Sequence, residues 1–172
     1  MNAALARVAL DALAGILPVD ARSWAQGFAL ARIPARFEVV RAGGKSAILD
    51  GAHNPEAMRS LARTWEASPW AGKPSRWIVG VMKDKDSAGM LRAVSRHLRE
   101  VVTVRPPSPR AMDAVSLARA VRLAAPSARV SVERDPETAL RSWLSRGPRT
   151  AVVCGSFYLA GRAAEVLGRM RG

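Results

Sequence analysis

Asp50-Gly51-Ala52-His53-Asn54-Pro55 packs groups able to hold an anionic, nucleotide-like molecule into six residues. A carboxylate at a strand end can hold two ribose hydroxyls by paired hydrogen bonds. His53 can donate to a phosphate or carboxylate oxygen, and histidine changes charge where small shifts matter. Gly51 lets the backbone come close to a ligand. Asn54-Pro55-Glu56 has the chemistry of a helix start: a cap, a proline at the first helical position and an acid in the first turn. A helix N-terminus adds favourable potential for anions. A plain strand-to-helix turn uses the same residues, with Asn54 as cap and Asp50 solvated, and spacing alone does not separate the two readings.

A second candidate, Gly43-Gly44-Lys45-Ser46, resembles the tail of a phosphate-binding loop. It fails that pattern twice. Position 39 is Val where the loop needs Gly, and the segment precedes a strand (AILD) instead of opening a helix. Gly43-Gly44 reads instead as the tight turn of a hairpin, where positive φ is required.

The elements that must position these groups alternate along the chain. Residues 2–16 carry Leu5, Val8, Ala9, Ala12, Leu13 and Ile16 at helical spacing, with Asn2 as a good cap. A second short helix is expected within 19–31, and Pro34 marks a boundary before the extended run ARFEVV. Strands are then predicted at 45–50, 75–81, 101–104, 128–132 and 150–154. Helices are predicted from Asn54-Pro55, from Asp86 (Met90, Leu91, Val94 and Leu98 inward), over 113–124, from Asp135-Pro136 and over 157–170. Such alternation implies an α/β fold, a mostly parallel sheet with helices on both faces. Ligands in these sheets sit beyond the carboxyl ends of the strands. DGAHNP, KDKD (83–86), SPRAMD (108–113) and GSFYLAG (155–161) all follow strands, so all four fall on that edge.

The chain has 172 residues, one ordinary domain or a domain with an appendage, and 49% hydrophobic residues suffice for a core. No apolar run approaches the ~20 residues of a membrane span. The start reads as an amphipathic helix and not a secretion signal. The single Cys154 lies in an apolar run, consistent with a buried thiol in a reducing compartment. Together these point to a soluble cytoplasmic protein with no membrane partner. The net charge of +13 admits nucleic acid, small polyanions or a merely arginine-rich solvated surface. The arginines are scattered without a basic cluster, and one Tyr and three Phe offer few stacking platforms, which argues against nucleic acid.

ILDGAHNPEA (48–57) resembles the hallmark of the folylpolyglutamate synthase / dihydrofolate synthase family of the Mur ligase superfamily. NAALARVAL (2–10), PARFEVV (34–40), GVMKDKD (80–86), SPRA (108–111) and GSFYLAG (155–161) match further family segments in the family's order. The resemblance implies a Rossmann-like Mur ligase C-terminal domain at 35–172. Before it, residues 1–34 would be a short helical remnant of the central ATPase domain. It implies an ATP-dependent ligase joining L-glutamate to dihydropteroate or a folate through an acyl phosphate. By the same resemblance Asn2 meets the adenine, Arg36 reaches the ATP phosphates, Asp50 binds the ribose, and His53 lies near the phosphates or the reacting carboxylate. Ser156 faces the active cleft, toward glutamate. Arg110 is a weaker carboxylate contact, and no role is assigned to Lys83–Asp86. The interval from Arg36 to Asp50 is one residue longer than usual, which fits an enlarged turn at Gly43-Gly44.

Family members are more than twice this length, and the additional part comes first. It carries the phosphate loop and the Mg²⁺ ligands, so no metal ligand is expected within these residues. The chain is therefore expected to be a C-terminal part that does not turn over without the ATPase domain. A non-catalytic nucleotide- or partner-binding module of the same fold is the alternative.

Overall fold

A computed structural model describes residues 2–31 and 33–170, the side chain of Asn2 excepted. The chain forms two compact units, residues 1–34 and 35–172. The first holds α1 (Asn2–Ala12) and α2 (Ala21–Leu30). Asp20 caps α2 by accepting from the Ser23 N–H at 2.7 Å. Trp24 stacks on Phe28, and the Arg7 guanidinium lies over the Trp24 ring. The α1 helix is shorter than its apolar spacing predicts. Residues 13–16 continue as hydrogen-bonded turns, because Gly15 is costly to order in a helix and Pro18 cannot extend it.

The second unit begins with the hairpin β1 (Glu38–Ala42) and β2 (Lys45–Leu49). It continues with α3 (Pro55–Glu66), β3 (Ser75–Val79), α4 (Ser87–Val94), β4 (Glu100–Thr103) and α5 (Ala114–Ala124). It ends with β5 (Arg129–Val132), α6 (Pro136–Arg146), β6 (Thr150–Cys154) and α7 (Phe157–Arg169). The six strands lie in the order β1-β2-β6-β3-β4-β5. Only the edge strand β1 is antiparallel.

The pleat sorts the strand side chains onto two faces. Ile48, Trp77, Val79, Val101, Val152 and Cys154 pack with α3, α4 and α5, through residues such as Met58, Leu61, Met90 and Leu117. Ala47, Leu49, Ile78, Val102, Ala151 and Val153 pack with α6 and α7, through Leu140, Trp143, Leu159 and Val166. β6 is buried along its whole length, as a central parallel strand must be. Leu98 is buried as predicted, but it follows a short 3-10 turn (Ser95–His97) instead of belonging to α4.

The helix starts predicted at Asn54, Asp86 and Asp135 are capped as expected, and Asp113 caps α5. Asn54 accepts from Ala57 N–H, Asp86 from Gly89, Asp113 from Val115 and Ser116, and Asp135 from Thr138. The phosphate-loop look-alike is a two-residue hairpin turn, with Gly43 at φ 53° and Gly44 at φ 70°. It is therefore not enlarged. The register from Glu38↔Leu49 to Ala42↔Lys45 runs without a bulge, so the longer Arg36–Asp50 interval is not absorbed there. Lys45 serves the end of a helix: its Nζ donates to the carbonyls of Trp143 and Gly147, at 2.9 and 2.8 Å. The Trp143 carbonyl also accepts from Gly147 N–H at the end of α6, and the Gly147 carbonyl lies just beyond it.

Candidate functional site

β2 and β3 lead into helices on one face of the sheet, while β6, lying between them, leads into α7 on the other. The chain reverses direction across this point, where sheets of this kind form a ligand crevice at the carboxyl ends of the strands. Because β2, β3, β4 and β6 are parallel, the four turns singled out in the sequence all lie on this edge.

The turn after β2 is tightly organised. Asp50 is 8% exposed, and both carboxylate oxygens are engaged. Oδ1 accepts from Ala52 N–H at 2.8 Å, and Oδ2 accepts from Phe37 N–H at 2.9 Å. Asp50 is thus not a solvated turn residue. Burial pushes its pKa above the ordinary carboxylate value, against those two N–H bonds and the nearby Arg36 charge. Its charge also adds to burial in pushing the Cys154 thiol far up, which makes that buried cysteine unreactive.

The bond to Phe37 explains a local irregularity. Ala35 and Phe37 both occupy left-handed backbone, at φ 54° and 46°, although neither is glycine. Such a conformation persists only where surrounding bonds hold it. Here Gly51 N–H donates to Ala35 C=O at 2.7 Å, Ala35 N–H donates to Glu38 Oε2 at 2.9 Å, and Asp50 takes Phe37. Arg36 stands between the two strained residues, and its guanidinium lies 5.0 Å from the centre of the Phe157 ring. That cation–π contact is favourable and fixes the direction of an otherwise exposed side chain.

His53 approaches the same ring, with centroids 5.3 Å apart. Its Nδ1 lies 2.8 Å from Gly51 C=O, and a carbonyl only accepts, so Nδ1 carries the hydrogen. Nε2 remains for a ligand. Arg36 and His53 therefore meet on Phe157, beside the capped N-terminus of α3.

Gly51 has a role different from the one expected of it. A Cβ there would stand 2.3 Å from Phe157 ring atoms, so its bare backbone makes room for this aromatic side chain. Phe157, 44% exposed at the first position of α7, is the residue that sequence reasoning missed. Its only signal was a large aromatic in a turn expected at the ligand edge.

Ser156 does not face an open cleft. It is 2% exposed, and its Oγ accepts from Leu159 N–H at 3.1 Å as the cap of α7. The turns after β3 and β4 are tied to each other: Lys83 N–H donates to Arg110 C=O, and Met112 N–H donates to Val81 C=O. Lys85 pairs with Asp84, and Asp86 caps α4. Asn2 opens α1, but its side chain lies outside the described residues. Among the described residues no group of three or more His, Cys, Asp or Glu is placed to hold a metal ion. No helix among them is long and apolar enough to cross a membrane.

A mostly parallel α/β sheet whose chain reverses direction beside a capped helix N-terminus defines a doubly wound class of domain. The chain belongs to the Mur ligase family: residues 35–157 match its glutamate ligase domain. It is 31% identical to the dihydrofolate synthase/folylpolyglutamate synthase of Mycobacterium tuberculosis, over 98% of this chain and 38% of that protein. The folylpolyglutamate synthase of Thermotoga maritima is 33% identical, with a TM-score of 0.77, over 97% of this chain and 38% of its own. E. coli FolC, solved in complex with DHPP and ADP, is 27% identical with a TM-score of 0.85, over 99% of this chain and 39% of its own. The chain thus spans about two fifths of the length of these relatives.

Proposed function

We propose that this chain is the C-terminal part of an ATP-dependent ligase that adds L-glutamate to dihydropteroate or a folate through an acyl phosphate. The observation that carries this reading is the meeting of Arg36 and His53 on Phe157 beside the N-terminus of α3. A guanidinium, a free imidazole Nε2 and a helix N-terminus suit the oxygens of a phosphoryl group or of a phosphorylated carboxylate. The solved relative that holds ADP supports this use.

In this reading Arg36 carries fixed charge to the ATP phosphates, while His53 holds a proton at the reacting end. Asp50 builds the platform for both, and its remaining lone pairs face a ribose. Asn2 contacts the adenine. Ser156 orients α7 and hence Phe157, with glutamate bound nearby. Residues 1–34 belong to the end of an ATPase domain, whose phosphate loop and Mg²⁺ ligands the activity requires. Phosphoryl transfer depends on positioning and metal charge. This chain alone should therefore show no sustained ADP release with Mg-ATP, folate and glutamate; steady turnover by the purified chain would refute the division of labour.

The site itself is tested by binding. ADP should bind weakly to the chain, with a Kd on the order of 1 mM, since one side of the nucleotide lacks its partner. Arg36→Ala should weaken it about tenfold, roughly the worth of one charge-assisted contact. The imidazole signal of His53 reports the event. If ADP leaves that signal unmoved at saturating concentration, the site assignment fails.

A further inference from the structure

At the opposite edge, where the parallel strands begin, lies a second concavity of about 390 Å³. It opens between the turn entering β3 and the turn entering β4. Half of its eight lining residues are basic: Lys73, Arg96, His97 and Arg99. Across the whole chain Lys, Arg and His make up 29 of 172 residues, so this gathering exceeds the general basic character. None of the lining residues is acidic.

Stacked and edge-on aromatic contacts build one wall of the cavity. Trp65 lines it and meets Trp77 edge-on, with centroids 5.7 Å apart, and Trp77 stacks on His97 with an interplanar angle of 11°. Glu66 neighbours the cavity and is already engaged. It accepts from His97 Nε2 at 2.7 Å and pairs with Arg96. Those contacts fix two of the four basic groups and use up the nearby negative charge. Lys73 and Arg99 have no ion-pair partner among the described residues. Gly72, at φ 73°, makes the turn that presents Lys73, whose N–H donates to Trp70 C=O.

Like charges around one hollow repel, and a bound anion relieves that cost. We propose that this hollow binds a small multivalent anion, with adjacent phosphate or carboxylate oxygens bridging Lys73 and Arg99 and a further contact from Arg96. It is distinct from the crevice described above. The two lie at opposite ends of strands that rise ~3.3 Å per residue, so on the order of 15 Å separates them. The ligand is a small molecule and not a polymer, since the cations surround a hollow instead of forming a stripe.

The chain's two histidines allow a direct test, because His53 reports the crevice and His97 this cavity. Imidazole NMR spectra of the whole chain are recorded while pyrophosphate is added at constant ionic strength. The His97 signals should move and saturate, whatever His53 does. Lys73→Ala with Arg99→Ala should weaken that response at least about tenfold. Arg119→Ala, which removes an exposed charge from α5, should leave it unchanged. An unchanged His53 position in the double variant verifies that it is folded. A His97 shift that never saturates, that survives in the double variant, or that falls equally in Arg119→Ala overturns the proposal, since each describes general attraction to a basic surface. ADP titrated separately keeps the two readings apart. A silent His53 removes the proposed ligase site and leaves this cavity standing, whereas a silent His97 does the reverse.

Discussion

Gly155→Ala should destabilise the 35–172 unit by roughly 3–5 kcal/mol, a large part of the stability of an ordinary domain. Two costs combine. Gly155 sits at φ 106°, which side chains rarely adopt, and a Cβ there would lie 2.5 Å from the Gly80 carbonyl oxygen. That atom is backbone at the end of β3 and cannot rotate away. Gly80 in turn donates to Cys154 C=O at 3.1 Å, so relief would disturb the pairing of β6 with β3. The melting temperature should fall by roughly 10–20 °C. Gly161→Ala provides the contrast. It lies inside α7 with nothing within 4 Å of the added carbon, so the change should be neutral or stabilise by up to about 1 kcal/mol. Thermal unfolding followed by circular dichroism decides. A Gly155→Ala protein that melts like its parent would mean that β3 and β6 part easily at their carboxyl ends, and that the crevice is not held by this contact.

Asp50→Ala should have the second large effect, and a dual one. It strips the acceptor from two N–H groups, buried Ala52 at about 1–3 kcal/mol, the cost of an unsatisfied buried donor, and half-buried Phe37 at less. It also releases the left-handed segment around Arg36, so ADP affinity should fall even if Asp50 never touches the nucleotide. Asp50→Asn separates these roles. An amide offers one acceptor oxygen and turns an NH₂ toward the other N–H, so about half of the stability loss should remain. The pH dependence has a definite sign. Burial holds the Asp50 carboxyl above its ordinary value of 3.8. Its contribution is therefore full below that value and declines as pH rises through the higher folded value. The stability gap between the natural protein and Asp50→Asn should be widest near pH 4 and narrow toward neutrality. Denaturant titrations at several pH values measure it, and a gap that widens with pH would refute the burial argument.

What could be read from the sequence was what local chemistry decides. Asn54-Pro55 and Asp135-Pro136 announce helix starts because cap and proline act within one turn, and Gly43-Gly44 announces a hairpin because only glycine sits there without strain. The edge holding the candidate site followed from strand–helix alternation and the direction of parallel strands. Illegible were features fixed by distant partners. Nothing in ARF predicts left-handed Ala35 and Phe37, since Gly51 and Asp50 hold them from across the hairpin. Ser156 read as an active-site hydroxyl, but it is a buried cap. Phe157 gained meaning only once β6 was placed beside β2 and the ring came under Arg36.

That placement of β6 also has a bearing on how the chain is made. Ser46 and Ser75 both pair with Thr150, so the strand that joins the two halves of the sheet is the last of the six to leave the ribosome. Until residues 150–154 emerge, β2 and β3 each present an unpaired edge to the surrounding solution. The hairpin and the β3–β5 half can form early from near neighbours, but they cannot unite. A ribosome that pauses in α6 therefore leaves two open, apolar edges waiting for one missing strand. Exposure to aggregation is expected to peak in this interval of synthesis.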